Sequence, residues 1–516
     1  MTRIPLLSRR ALSRQALGLA AAAALAPSRP RAAPRDSINV RIARDILNLD
    51  PANRTSFPES NIIKACSHRL IAPRRGTFET ELDGAAALSR PNPQTIAFEL
   101  KPGLVFSHGF GPLTAEDVKF SYERFATAGL GGKAASRAKD WEALDGVEVT
   151  GPLTGVIHLK NPAPSVMTDT LPGGSGCIVS RRAFEALGPK MMQRVVGSGP
   201  YVFDQWEPNQ RVVLRANPDY TGERPGFAGI VLRPIEELKT AQLALRAGEL
   251  DFTAIDANAI KDLRAAGARV VQLDSINYVW VGMNVEAPAL QDVRVRRAIR
   301  LAVDTEQLVL AAYNGAAKTI RAVQAPGLLG YWADAPVYSH DVAAARALLA
   351  AAGVQPGQKL RLTLLATPTY QAIALVLRAM LAEAGLDLQI DARAAGTYWS
   401  SGNGEAGRGL ELSLQRFGGE PDPAFQTQWF VSSQIGTWNW QRWSNPEFDA
   451  LDQQARATDD DAARSRAYIR MQQLMDESAA FIWLTNEVNA FAASAWLDPA
   501  ILPTGDDLQY PLFRPV

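Results

Sequence analysis

The sequence has 516 residues, 47% hydrophobic and 21% charged, with a formal net charge of +1. That balance suits roughly two to four folded domains, and it excludes a wholly disordered chain and the basic field of a nucleic-acid binder. Two cysteines exclude a disulfide scaffold, and four histidines, at 68, 108, 158 and 340, offer no i, i+4 pair for a helical zinc site.

Residues 1–33 read as an export signal: Arg3, Arg9, Arg10 and Arg14 form a basic start, and Ala16 to Ala26 is an apolar run of eleven residues. The run is too short to span a bilayer, which needs about 20 residues, but it suits a signal core. Ser8-Arg9-Arg10-Ala11-Leu12 resembles the twin-arginine signal, an ordinary Sec signal being the other reading, with cleavage expected after Ala32 or Ala33. Its removal leaves 48 basic side chains against 53 acidic, a balance of −5. No later apolar run reaches about 18 residues, so the mature chain is expected to be periplasmic, soluble and not membrane-spanning. Cys66 and Cys177 read as two separately buried thiols; a bridge between them is the other reading.

The stretch 38–49 alternates through Ile38, Val40 and Ile42 and predicts an opening strand. A second strand is expected at 94–100. Thr114 and Asp117 form a capping box for a helix through Phe125, followed by a loop at 126–138. Val147 to Lys160 predicts two strands around Gly151-Pro152. A strand from Val212, a strand at 230–235, a helix at 236–247 stopped by Gly248 and a strand at 250–255 follow. Helices are expected at 292–313 and 341–352. A strand at 360–366, a helix at 371–384 and a strand at 386–390 form the cue for a parallel pair. The acidic run Asp459–Asp461 reads as a solvated cap before a late helix containing Tyr468 to Met475. The pattern predicts an α/β protein with more than one lobe.

Catalytic motifs are missing. Gly131-Gly132-Lys133 lacks the upstream glycine of a phosphate loop, Gly109-Phe110-Gly111 lacks the third glycine of a dinucleotide site, and Gly197-Ser198-Gly199 has no nucleophile-elbow spacing. The chain therefore reads as a binding protein without catalytic residues, metal or cofactor, and not as an enzyme.

Four segments together resemble the bacterial ABC-importer solute-binding proteins that include oligopeptide-, dipeptide- and nickel-binding members (solute-binding protein family 5). They are 98–125 (FELKPGLVFSHGFGPLTAEDVKFSYERF), 196–220 (VGSGPYVFDQWEPNQRVVLRANPDY), Asn284 with 292–299 (DVRVRRAI), and 445–455 (NPEFDALDQQA). The resemblance implies a two-lobed periplasmic binding fold of the type II, cluster C kind, with an extra subdomain in the first lobe and hinge strands between lobes. The first lobe is placed at 36–57, 176–277 and 483–516, the extra subdomain at 58–175, and the second lobe at 278–482. It further implies capture of a peptide or peptide-like solute by hinge closure, a monomer, and delivery to an ABC permease with its ATPase subunits.

In peptide-binding relatives an Asp before a P-D-P-like stretch holds the solute's ammonium group. Aligning Pro421-Asp422-Pro423 puts Gly419 there, with Glu420 one residue later as its substitute or else a solvated loop acid. Arg416 stands where relatives often carry an aromatic residue and is a candidate anion fork, or else a surface ion pair. With Phe417 and Asp422, the candidate pocket adds Tyr398, Trp399, Trp438, Asn439, Trp440 and Arg442. At least two of Trp429, Trp438, Trp440 and Trp443 are expected to be core. His68 reads as a structural histidine. The missing Asp and the tryptophans keep a non-peptide solute, an opine or small oligosaccharide, as the alternative; a secreted hydrolase or a protein-binding receptor ranks lower.

Overall fold

The computed structural model describes residues 36–126 and 135–516. The export signal read at 1–33, and residues 127–134 of the expected loop, lie outside them.

β1 (Ser37–Ile42) turns Ile38, Val40 and Ile42 into the core. It stops short of the predicted 49 for a physical reason. The backbone N–H groups of Leu47, Asn48, Thr55 and Ser56 donate to the Glu59 carboxylate at 2.7, 3.0, 2.6 and 3.0 Å rather than to a strand. Glu59 is fully buried in the first turn of the helix Phe57–Cys66, where it completes a capping box with Ser56. Next come β2 (Ala85–Asn92), β3 (Thr95–Leu100), the helix Ala115–Glu123, β4 (Leu144–Val149) and β5 (Thr154–Leu159). The predicted Thr114–Asp117 capping box is present at that helix's start. These strands form a four-stranded sheet in the order β2-β3-β5-β4, over a core of its own around Phe98, Tyr122, Trp141 and Ile157.

β6 (Tyr201–Glu207), β7 (Arg211–Ala216), β8 (Gly229–Pro234), β9 (Phe252–Ile255) and β10 (Arg269–Asp274) follow. The chain then crosses to β11 (Tyr278–Met283). The helix predicted at 292–313 is two helices, Val293–Leu301 and Thr305–Tyr313, because the Asp304 side chain caps the second by accepting the N–H of Gln307. β12 (Gln358–Leu365), the helix Pro368–Glu383 and β13 (Leu386–Arg393) form the predicted strand–helix–strand unit, and β12 and β13 are parallel. β14 (Leu412–Phe417), the helix Asp461–Ser478 and β15 (Phe481–Thr485) precede the second crossing, to β16 (Val488–Ala493).

Two large sheets result, one per lobe: seven strands ordered β6-β7-β8-β1-β9-β16-β10, and five ordered β13-β12-β14-β11-β15. The five-stranded sheet separates an aliphatic core around Val281, Leu362 and Leu414 from an aromatic one around Tyr278, Trp280 and Phe417. The period-2 alternation along β11 makes this division, since Val279 and Val281 face one side and Tyr278 and Trp280 the other. The chain passes between the two sheets twice, at 275–277 and at 486–487.

Candidate functional site

Strand direction decides where a ligand can sit. β1, β8 and β9 are parallel, and β10 runs the same way because both it and β9 are antiparallel to β16. In the other sheet β12, β13 and β14 are parallel, and β15 joins them through antiparallel β11. Both crossings join β10 and β15, at their carboxyl ends, to the next strand, so the two sheets turn these edges toward each other. Loops at the carboxyl ends of parallel strands are the usual ligand-binding edge of open α/β sheets. Here they include 43–56 from the first lobe, and 366–367, 394–403 and 418–422 from the second.

The 418–422 loop is held against the first crossing. The Gly419 N–H donates to Asn277 Oδ1 at 3.1 Å, and a Cβ at Gly419 would collide with the Ile276 carbonyl. No side chain fits at 419, so the loop's acid stands at 420. Glu420 is half-buried. Burial pushes its carboxyl up to about 7, with Asp140 adding to the shift and Arg137, Lys64 and Arg54 opposing it. These neighbours precede the first crossing, so Glu420 stands where the two lobes come together. Asp169 is raised well above the carboxylate range, by burial first and then by Glu420 and Asp422. Asp169 Oδ1 accepts the Asp422 N–H at 3.3 Å, and Thr168 Oγ1 donates to Asp422 Oδ2 at 3.3 Å, so the lobes touch here.

Arg416 takes the ion-pair alternative. Its Nε donates to Glu487 Oε2 at 2.9 Å, while Tyr313 and Tyr370 hydroxyls donate to Glu487 Oε1 at 3.3 Å each. Glu487 lies in the second crossing with φ +60°, a left-handed backbone unusual outside glycine. Three elements thus converge on one carboxylate of the second crossing.

The aromatic candidates separate into wall and core. Trp399 is exposed, Trp438 is half-buried, and the two rings meet edge to face at 6.5 Å. Trp429 continues the row at 5.9 Å from Trp438, and Phe425 meets Trp429 at 5.4 Å; Phe417, expected in the pocket, is instead buried in the aromatic core behind Trp438 because it faces Tyr278 and Trp280 across the sheet. Trp399 lies in the connection after β13, and Phe425, Trp429 and Trp438 in the connection after β14. The other candidates are engaged inside the lobe. Tyr398 is buried and its hydroxyl donates to the Leu414 carbonyl at 2.6 Å. Trp440 is buried against Gly402. Asn439 donates to the carbonyls of Phe430 and Trp443 at 2.9 and 2.8 Å. Arg442 pairs with Glu286 at 2.6 Å. Asp422 forms a two-pronged pair with Arg464 at 2.9 and 2.7 Å, with both side chains almost wholly buried. Trp440 and Trp443 are core, as expected of at least two of the four.

Sequence reasoning missed Arg54, Lys64, Asp140, Asp169 and Glu487. They come from segments far apart in sequence, and no local motif marks them. Glu59 did carry a signal, the S-x-x-E of Ser56 to Glu59. His68 is structural: its Nδ1 lies 3.0 Å from Ser198 Oγ, its ring stacks on Tyr220, and burial lowers its pKa. Cys66 and Cys177 are both buried free thiols. Among the described residues no group of three or more His, Cys, Asp or Glu side chains is placed to hold a metal ion, and no helix is long and apolar enough to cross a membrane.

Comparison with known proteins gives this arrangement a context. The model for the bacterial extracellular solute-binding proteins, family 5 (middle), matches residues 83–438. The chain is 27% identical over 472 residues to the "probable D,D-dipeptide-binding periplasmic protein DdpA" of Escherichia coli (strain K12), covering 88% of this chain and 89% of that one. Among solved structures, the ABC transporter substrate-binding protein CtaP of Listeria monocytogenes superposes with a TM-score of 0.84 at 20% identity, over 93% of this chain and 99% of that one. The unliganded open form of the periplasmic murein tripeptide-binding protein MppA superposes with a TM-score of 0.79 at 20% identity, over 94% and 98%.

Proposed function

Because the chain belongs to the bacterial extracellular solute-binding proteins of family 5, we propose that it is the periplasmic subunit of an ABC importer that captures a short peptide or peptide-like zwitterion between its lobes and presents it to a membrane permease. The observation that carries this reading is the facing pair of carboxyl-end edges, which the described chain crosses at 275–277 and 486–487, with Glu420 where the lobes meet. Two connections allow rotation, and a solute touching both edges favours the closed state over the open one.

Glu420 accepts the solute's ammonium group in this reading. A bound cation next to it favours the ionised carboxylate that burial disfavours. The row Trp399, Trp438, Trp429 and Phe425 takes an apolar side chain. The name of the Escherichia coli relative supports a dipeptide-sized solute. Export through residues 1–33 by the twin-arginine route, action as a monomer, a second lobe at 278–482 and the absence of catalysis belong to the same proposal.

The test is mass spectrometry of small molecules released by mild denaturation from protein purified from the periplasm, followed by calorimetry with what is found. Short peptides are expected, with Glu420→Gln weakening their binding at least about tenfold, as the loss of a charge-assisted bond implies. N-acetylated peptides should bind as poorly to wild type as free peptides bind to the variant. A single non-peptide mass would replace the peptide by that solute.

A further inference from the structure

The acidic run at 459–461 does more than cap a helix. Asp460 caps the helix Asp461–Ser478, accepting the N–H groups of Ala462 and Ala463 at 2.9 and 3.0 Å. Asp459 instead reaches across to the first lobe's subdomain, where Arg90 Nη2 donates to Asp459 Oδ2 at 2.7 Å. Arg90 lies on β2, the edge strand of the four-stranded sheet, and the same Nη2 donates to the Pro93 carbonyl at 2.9 Å, which fixes the guanidinium's aim. Both side chains are about three-quarters buried, at 24% and 22% exposure. Arg90 Nε and Asp459 Oδ1 are buried and have no hydrogen-bond partner. They are a donor and an acceptor, the two atoms a second parallel bond requires.

We propose that Arg90 and Asp459 are a mouth clasp: a pair that belongs to neither crossing, forms only when the lobes meet, and tightens from one bond to a two-bond fork as closure completes. The subdomain thereby gains a role in setting how long the closed state lasts. A partly buried ion pair of this kind shifts a two-state equilibrium by roughly threefold to fivefold. The pair gains nothing in the open state, so its effect falls on opening rather than on encounter.

Small-angle X-ray scattering of the solute-free protein tests this without any ligand, so its outcome is independent of the peptide reading. Arg90→Asp and Asp459→Arg should each expand the particle, with the closed fraction falling about threefold to fivefold. The double swap, Arg90→Asp with Asp459→Arg, should restore compactness, while circular dichroism shows all three variants folded. Unchanged scattering in the single variants, or failure of the swap to restore it, overturns the clasp. The same variants should release a dialanine probe faster at an unchanged association rate; a change confined to association would also overturn it.

Discussion

Glu420 is a carboxyl that folding makes reluctant to ionise. Burial raises it from the ordinary range to about 7, so the folded chain holds a proton there that the unfolded chain releases near pH 4.5. Its contribution is therefore present below about pH 4.5 and lost as the pH rises toward 7. Glu420→Gln should be as stable as wild type at pH 4 and more stable at pH 8, by at most about 3 kcal/mol, in urea titrations at the two pH values. Asp422 is engaged differently, through its ion pair with the buried Arg464. Asp422→Asn leaves Arg464 buried against a neutral partner and should cost about 3–5 kcal/mol, read from the same titrations. At this scale the sequence revealed which residues are chemically able and not how they are engaged. Glu420, Trp399 and Trp438 were legible as candidates and stand at the inter-lobe edge. Arg416 was equally legible, but its claim on Glu487 depends on a crossing 71 residues away.

Elements followed local pattern where local pattern was sufficient. The unit from β12 to β13 was readable because Gly385 and the apolar spacing agree with the fold, and the Thr114 box was readable because both partners lie within one turn. The strand predicted through 49 failed because Glu59, ten residues further on, claims the backbone donors of that stretch. This carboxylate shapes the first-lobe loop at the inter-lobe edge. Glu59→Gln replaces one acceptor oxygen by a donor among four N–H groups and should destabilise the protein by about 2–3 kcal/mol. Hydrogen exchange should rise in residues 45–56 well before the sheets are affected, and a uniform rise across the chain would contradict this local role.

For the whole molecule, composition and periodicity reached only a multi-lobed α/β protein; the two-lobed architecture came from the family resemblance. The reason is topological. β1 at one end of the described chain and β16 near the other share a sheet, and nothing in either segment's periodicity names its distant neighbours. The aromatic face of the five-stranded sheet shows the same limit, since its rings meet only after β11, β14 and β15 are aligned. A chain cut before Val488 should keep a protease-resistant second lobe and lose resistance in the first, by limited proteolysis with fragment mapping.

That cut has a natural counterpart in the order of synthesis. β16 sits between β9 and β10, and both of these have left the ribosome more than two hundred residues earlier. Until β16 arrives, they lack the strand that joins them, with hydrogen-bonding edges open to any passing chain. The nascent protein must therefore be shielded through nearly half of its translation, and its first-made lobe is the last to be finished.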